Sequence, residues 1–164
     1  MSDTSLLQAL SLAHNPWHAQ MVLTTASAIT ASTWTQVPFD TILYDPATMC
    51  TVGAAAKITV PVQGLYSIKA SAGTAASVAD GTLMMVDIAH NAAVGGGPGE
   101  YRLFEGATGA AVPMVGGGAI DVSAAAGDYF AVGVWLGAAA ASLAGSSSAT
   151  IYVCTLSVTF SCPT

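Results

Sequence analysis

The stretch Lys57-Ile-Thr-Val-Pro-Val-Gln-Gly-Leu-Tyr-Ser-Ile-Lys69 constrains this chain more than any other. Ile58, Val60 and Val62 recur at every second position, the period of a strand with one buried face. The Pro-Val-Gln-Gly segment is a turn, and Leu65 onward is extended again. Strand, turn, strand is an antiparallel β unit, and the rest of the chain follows the same rule.

From Trp34 to the end, strand patterns recur between turn signals over 34–44, 57–62, 65–72, 82–90, 101–105, 119–123, 128–136 and 150–161. The last is the clearest, with Tyr152, Cys154, Leu156, Val158 and Phe160 on one face and Thr155, Ser157 and Thr159 on the other. Phe130, Val132, Val134 and Leu136 repeat that alternation. Residues 72–79, 95–99, 106–109, 116–118 and 138–148, rich in Gly, Ala and Ser, are expected to be loops. About eight strands with no helical period predict an antiparallel sandwich or jelly roll over 34–164.

Residues 1–33 differ. Leu6, Leu7, Leu10 and Ala13 have the spacing of a short amphipathic helix that Pro16 ends. Met21–Thr25 is a brief extended run. So short a segment cannot bury itself, so it is expected to be an arm that packs on a neighbouring subunit or a separate partner.

Charge excludes several functions. Charged residues make up 7% of the 164, against about 25% in an ordinary globular domain, while mean hydropathy is +0.62. So little charge implies that part of the surface is covered by other subunits. Lys57, Lys69 and Arg102 are the entire positive complement, and the net charge is −6. Nucleic acid and anionic membranes are therefore not expected partners. Residues 129–145 approach the length of a membrane span, but they open with strand alternation and run into Gly and Ser, so no membrane insertion is expected. The first residues have neither a basic stretch nor an unbroken apolar one, so synthesis in a cytoplasm is expected. Cys50, Cys154 and Cys162 lack metal spacing. Cys154 and Cys162 would stand roughly 26 Å apart on one strand at about 3.3 Å per residue, too far to pair, and all three are expected to be small buried apolar groups.

Three segments together resemble the jelly-roll family of the tumour necrosis factor ligands and the globular head of the first complement component. Val37-Pro-Phe-Asp-Thr-Ile-Leu-Tyr-Asp45 is similar to its opening strand. Ile58–Ile68 is similar to its Val-Pro-x-x-Gly-x-Tyr signature, and Ala126-Gly-Asp-Tyr-Phe-Ala-Val-Gly-Val134 to its Gly-Asp strand. Ser157–Phe160 falls where the closing strand belongs, so the likeness spans about 34–161. The chain departs at Ser161-Cys-Pro-Thr164, and neither a collagen stalk nor a membrane anchor is expected of it. The resemblance implies a homotrimer, with Tyr66, Tyr129 and Phe160 either near the threefold axis or inside the sandwich.

A search for chemistry returns little. His14 and His18 flank Trp17, but Pro16 precludes the helix that would aim both imidazoles at one metal, so the three are read as a patch docking on a partner. Asp87 and His90 lie three apart on a strand and point to opposite faces. The aspartates fall mostly at turn boundaries. Some members of the family bind calcium through such loops, to which Asp45 or Asp80 would contribute, yet no ligand cluster is evident. No nucleophile has a base nearby, so no enzyme, cofactor or metal is expected. Domains of this kind occur in bacteriophage virions. The resulting expectation is a virion structural protein, a trimeric decoration or cement protein docking on the major capsid protein or another virion protein through 1–33. The alternative is a tail or fibre-tip module that adheres to a host glycan or protein.

Overall fold

The computed structural model describes residues 16–92, 94, 99–137, 141–145 and 153–163. Among them the strands are β1 (His18–Val22), β2 (Ser27–Ile29), β3 (Thr35–Gln36), β4 (Thr41–Tyr44), β5 (Cys50–Thr51), β6 (Lys57–Thr59), β7 (Gly64–Gly73), β8 (Leu83–His90), β9 (Tyr101–Ala107), β10 (Val115–Ala124), β11 (Tyr129–Leu136), β12 (Ala141–Leu143) and β13 (Thr155–Cys162). No helix occurs among the described residues, and hence none long and apolar enough to cross a membrane.

Two antiparallel sheets form the sandwich. The first runs β10-β7-β13-β1-β4, and the second β5-β6-β11-β8-β9 with β3 added to β11. Alternation decides what faces inward. Ala19, Met21, Tyr66, Ile68, Leu156 and Val158 of the first sheet meet Ile58, Met84, Val86, Ile88, Phe130, Val132 and Val134 of the second, all at 0% exposure. At one flank Phe104 of β9 lies across Gly106 and Gly116, where a Cβ would collide with its ring.

The fold corrects five expectations. The proposed arm does not extend to residue 33: β1 lies inside the first sheet, between β13 and β4, with Ala19 and Met21 fully buried. β2 pairs with β12. A jelly roll brings the two ends of its chain side by side, and His18 stands opposite Thr159, a pairing that local pattern cannot reveal. The expected helix before Pro16, and His14 with it, lie outside the described residues.

The expected strand over 34–44 is two strands in different sheets. β3 joins β11 and β4 joins β1, while Val37-Pro38-Phe39 crosses between the layers and buries Val37 and Phe39. Pro38 has no backbone donor for a continuous ladder. The expected loop at 116–118 is strand instead, with Gly116, Gly117 and Gly118 opposite Ala72, Ser71 and Ala70. Glycine is needed at Gly117 because a Cβ there would come 2.7 Å from the Ser71 α-carbon. Part of the expected loop over 138–148 is also strand, as β12. Finally, the cysteines differ among themselves. Cys154 is buried, Cys50 half-buried and Cys162 exposed, since the alternation of β13 breaks at a bulge between Phe160 and Cys162.

Candidate functional site

The outward face of the first sheet is a regular surface five strands wide. Its central strands present short hydroxyl side chains in register: Ser71 opposite Thr155, Lys69 opposite Ser157, and Ser67 opposite Thr159. β1 continues the rows with Gln20 opposite Ser157 and His18 opposite Thr159. β10 adds Gly117, Ala119 and Asp121 opposite Ser71, Lys69 and Ser67. Local bonds tie the rows together. Ser71 Oγ donates to the Val153 carbonyl at 2.8 Å and lies 3.0 Å from Thr155 Oγ1, while His18 Nδ1 lies 2.7 Å from Thr159 Oγ1. The His18 ring also rests 5.3 Å from that of Tyr44. Burial, with Lys69 nearby, holds the His18 pKa below the ordinary imidazole value. Lys69 and Asp121 are the charged side chains of these rows, and at the margins Ile42, Leu43 and Val115 are 44%, 41% and 60% exposed.

At one end of this sheet three aromatic rings form a stack of edges. Trp17 meets Phe160 at 4.8 Å and Phe160 meets Tyr66 at 5.4 Å, at interplanar angles of 75° and 72°. Tyr66 is fully buried and donates its hydroxyl to the Val62 carbonyl at 2.7 Å. Burial pushes its phenol pKa up. The Trp17 carbonyl accepts from the Phe160 amide at 3.0 Å. Trp17 and His18, expected to form a docking patch, are thus engaged with β13 of their own chain.

Tyr66 and Phe160 come together, and Tyr129 does not join them. Phe130, Val132 and Val134 point into the core, so by parity Tyr129 points out from the second sheet. Its ring lies under the Lys57 ammonium, 4.4 Å from ring centre to Nζ. Gln36, Ala55, Lys57, Ala92, Tyr129 and Ala131 enclose a recess of about 140 Å³ there. Sequence reasoning missed it, because its walls come from four separate segments.

The second sheet carries two polar clusters that were also missed as units. Asp87 faces outward yet has no exposure, since Val94 and Trp34 pack over the neighbouring Gly133. Asp87 accepts from Arg102 Nε at 2.5 Å and from the Gly99 amide at 3.0 Å, and Arg102 also pairs with Glu105. His90 stacks on Phe130 at 4.8 Å and pairs with Asp128 at 3.1 Å and Glu100 at 3.4 Å. Asn91, at φ 52°, donates to Asp128 at 2.7 Å and accepts from the Tyr129 amide at 2.9 Å. A positive φ at Asn after a strand is a turn signal legible in sequence, but its partners 37 and 38 residues away are not. Asp87 and His90 do diverge, as alternation required. Among the described residues no group of three or more His, Cys, Asp or Glu side chains is arranged to hold a metal. Burial and Asp45 push the Cys50 thiol up to about 12.

Two antiparallel sheets with the terminal strands paired at the centre of one of them define a jelly roll of the tumour necrosis factor type. Among solved structures the chain is similar to murine APRIL, at 13% identity and a TM-score of 0.61 over 88% of this chain and 98% of that one. It is likewise similar to the Eiger TNF of S. frugiperda, at 14% identity and 0.60 over 90% and 94%. The globular domain of zebrafish complement 1qA matches at 14% identity and 0.58 over 90% and 98%. Likeness at this identity concerns the fold. No protein-family model and no curated protein matches the chain.

Proposed function

We propose that this chain is a non-enzymatic structural protein of a bacteriophage virion, a homotrimer that decorates or cements the capsid. Self-association rests on one observation: the outward face of the β10-β7-β13-β1-β4 sheet is five strands wide and built of Ser, Thr, Gly and Ala rows with few charges. Short neutral side chains let a second copy approach closely without stranding ions in the interface. Val115, 60% exposed and opposite Gly73 in the outward row of β7, adds apolar area at its margin. Threefold stoichiometry follows the resemblance to the tumour necrosis factor and complement domains. The virion assignment draws on the chain's 7% charge and Ala/Gly-rich composition, and docking is assigned to the residues ahead of β1, with Trp17 at their junction to the sandwich.

The non-enzymatic reading is supported by the hydroxyl–imidazole contact between His18 and Thr159 on the first sheet. His18 and Thr159 are within bonding distance, but no carboxylate pairs with His18 among the described residues, and Lys69 opposes its protonation. That is the wrong electrostatics for a general base that must hold a proton in the transition state.

Light scattering on the full chain and on a chain lacking residues 1–15 tests the assembly. A mass near three times 16.3 kDa in both supports it, and a stable monomer overturns it. The location is tested by mass spectrometry of gradient-purified phage particles, where absence of the chain overturns a virion role. A second reading, adhesion from a tail or fibre tip, is favoured by the recess at Tyr129 and Lys57, which lies on the sheet opposite the assembly face.

A further inference from the structure

We propose that the recess between β3, β6 and β11 binds a sugar acid, taking its carboxylate on Lys57. This holds under either reading of the protein's location. The recess is small, about 140 Å³, well under the roughly 300 Å³ at which drug-sized sites begin. It suits one compact ring.

Its chemistry is uneven in a useful way. Ala55, Ala92 and Ala131 supply methyl groups and the Tyr129 ring supplies an aromatic wall, so most of the lining is apolar. The polar groups converge from one side. Lys57 Nζ is held over the Tyr129 ring at 4.4 Å, and no carboxylate pairs with it among the described residues. Arg102, in contrast, already pairs with Asp87 and Glu105. Gln36 donates Nε2 to the Ala56 carbonyl at 2.7 Å, which fixes its amide and leaves Oε1 as an acceptor for a hydroxyl.

Charge sets the ligand class. A chain of net charge −6 repels anions at long range, and a dianion would need several cations or an Arg fork to be held. One ammonium matches one negative charge. A carboxylate on a ring whose C–H face packs on alanine methyls and an aromatic edge satisfies each wall. A phosphorylated or neutral sugar satisfies only some of them. The three alanines are what make the space, because any larger side chain at those positions would fill it.

The test is a ¹H–¹⁵N titration of the full-length labelled protein with glucuronate, with glucose, glucose 1-phosphate and N-acetylalanine as comparisons. Saturable shifts at Lys57, Ala92, Tyr129 and Ala131 are expected with glucuronate, and binding at least about tenfold weaker with each of the others. Ala92→Leu fills the recess from an exposed position with the charge retained, and is expected to abolish the shifts while the remaining spectrum stays folded. Lys57→Met, which keeps the aliphatic stem, is expected to bring glucuronate down to the level of glucose. The proposal is overturned if glucuronate gives no saturable shift, or if Ala92→Leu binds as the parent does. It also fails if glucose or glucose 1-phosphate binds equally well. Equal binding of N-acetylalanine would overturn the sugar-acid assignment.

Discussion

The ring of Phe160 lies against the α-carbon of Gly64, so that a methyl group there would overlap the ring and come 2.7 Å from the Cys162 carbonyl oxygen. The glycine of the Pro-Val-Gln-Gly-Leu-Tyr turn is therefore demanded by the closing strand of the sandwich. Gly64→Ala is expected to destabilise the fold by about 1–3 kcal/mol, the usual cost of overpacking. Phe160→Leu in the same chain should recover part of the loss. Thermal melts of the two single variants and the double variant measure the coupling, and a Gly64→Ala melt equal to the parent's would refute the steric account.

Asp87 and Arg102 are unequally buried, with side-chain exposures of 1% and 36%. Removing the exposed partner should therefore hurt more than neutralising the buried one. Arg102→Met leaves a buried carboxylate uncompensated and is expected to cost about 3 kcal/mol. Asp87→Asn, which leaves Arg102 able to reach water and Glu105, is expected to cost less. Denaturant midpoints decide the order. Burial raises the Asp87 pKa despite the hydrogen bonds from Arg102 and Gly99, so its contribution is largest at low pH and declines as pH rises through the raised value.

Asp128 and Asp40 behave oppositely. The Asn91 side chain and the Ala125 amide hold Asp128 below the ordinary carboxylate value of 3.8, against a smaller effect of burial, and His90 adds to the lowering. At Asp40 burial works upward, but hydrogen bonds from Thr24 and Thr25 outweigh it and the net shift is downward. Both folded values lie below the unfolded ones, so their stabilisation is complete above the unfolded pKa and fades as pH falls through the folded one. An acid titration of stability should be shallower in Asp128→Asn and in Asp40→Asn than in the parent. Unchanged slopes would show that neither carboxylate is selectively stabilised by the fold.

If the β10-β7-β13-β1-β4 face is the assembly face, His18 ties assembly to pH. Burial and the Lys69 charge lower its pKa from 6.5, and Tyr44, Thr159 and Gln20 are its other neighbours on the proposed assembly face. A lowered histidine pKa means that the neutral form is favoured in the fold. The stabilisation is present above about 6.5 and is lost as pH falls through the folded value. Protonation would add a second positive charge beside Lys69. Light scattering at a pH near 7.5 and again near 5 should show a smaller mass at the lower pH, with His18→Gln insensitive to the change. A parent mass that is the same at both would separate His18 from assembly.

Much of the fold was legible because alternation is a local property. The inward rows of β11 and β13 follow from one side chain in two being apolar, and the turn before β7 is marked by Pro61 and Gly64. Gly127, at φ 92°, marks the turn before β11 in the same way. These features depend on residues within a few positions of each other, and the sequence alone determined them, together with the antiparallel class and the scarcity of charge. Tertiary structure decided the rest. β1 is five residues long and becomes a central strand only because β13, more than a hundred residues away, lies beside it. Gly116–Gly118 reads as loop by composition and is strand because it pairs with Ala70–Ala72 of β7, and Phe104 over Gly116 and Ala70 and Ser71 against Gly117 leave no room there for a Cβ. The recess gathers Gln36, Lys57, Ala92 and Tyr129 from four places along the chain. Periodicity records which side of a strand is buried, whereas pairing and cavities depend on contacts whose loop-closure entropy is met by the whole core at once.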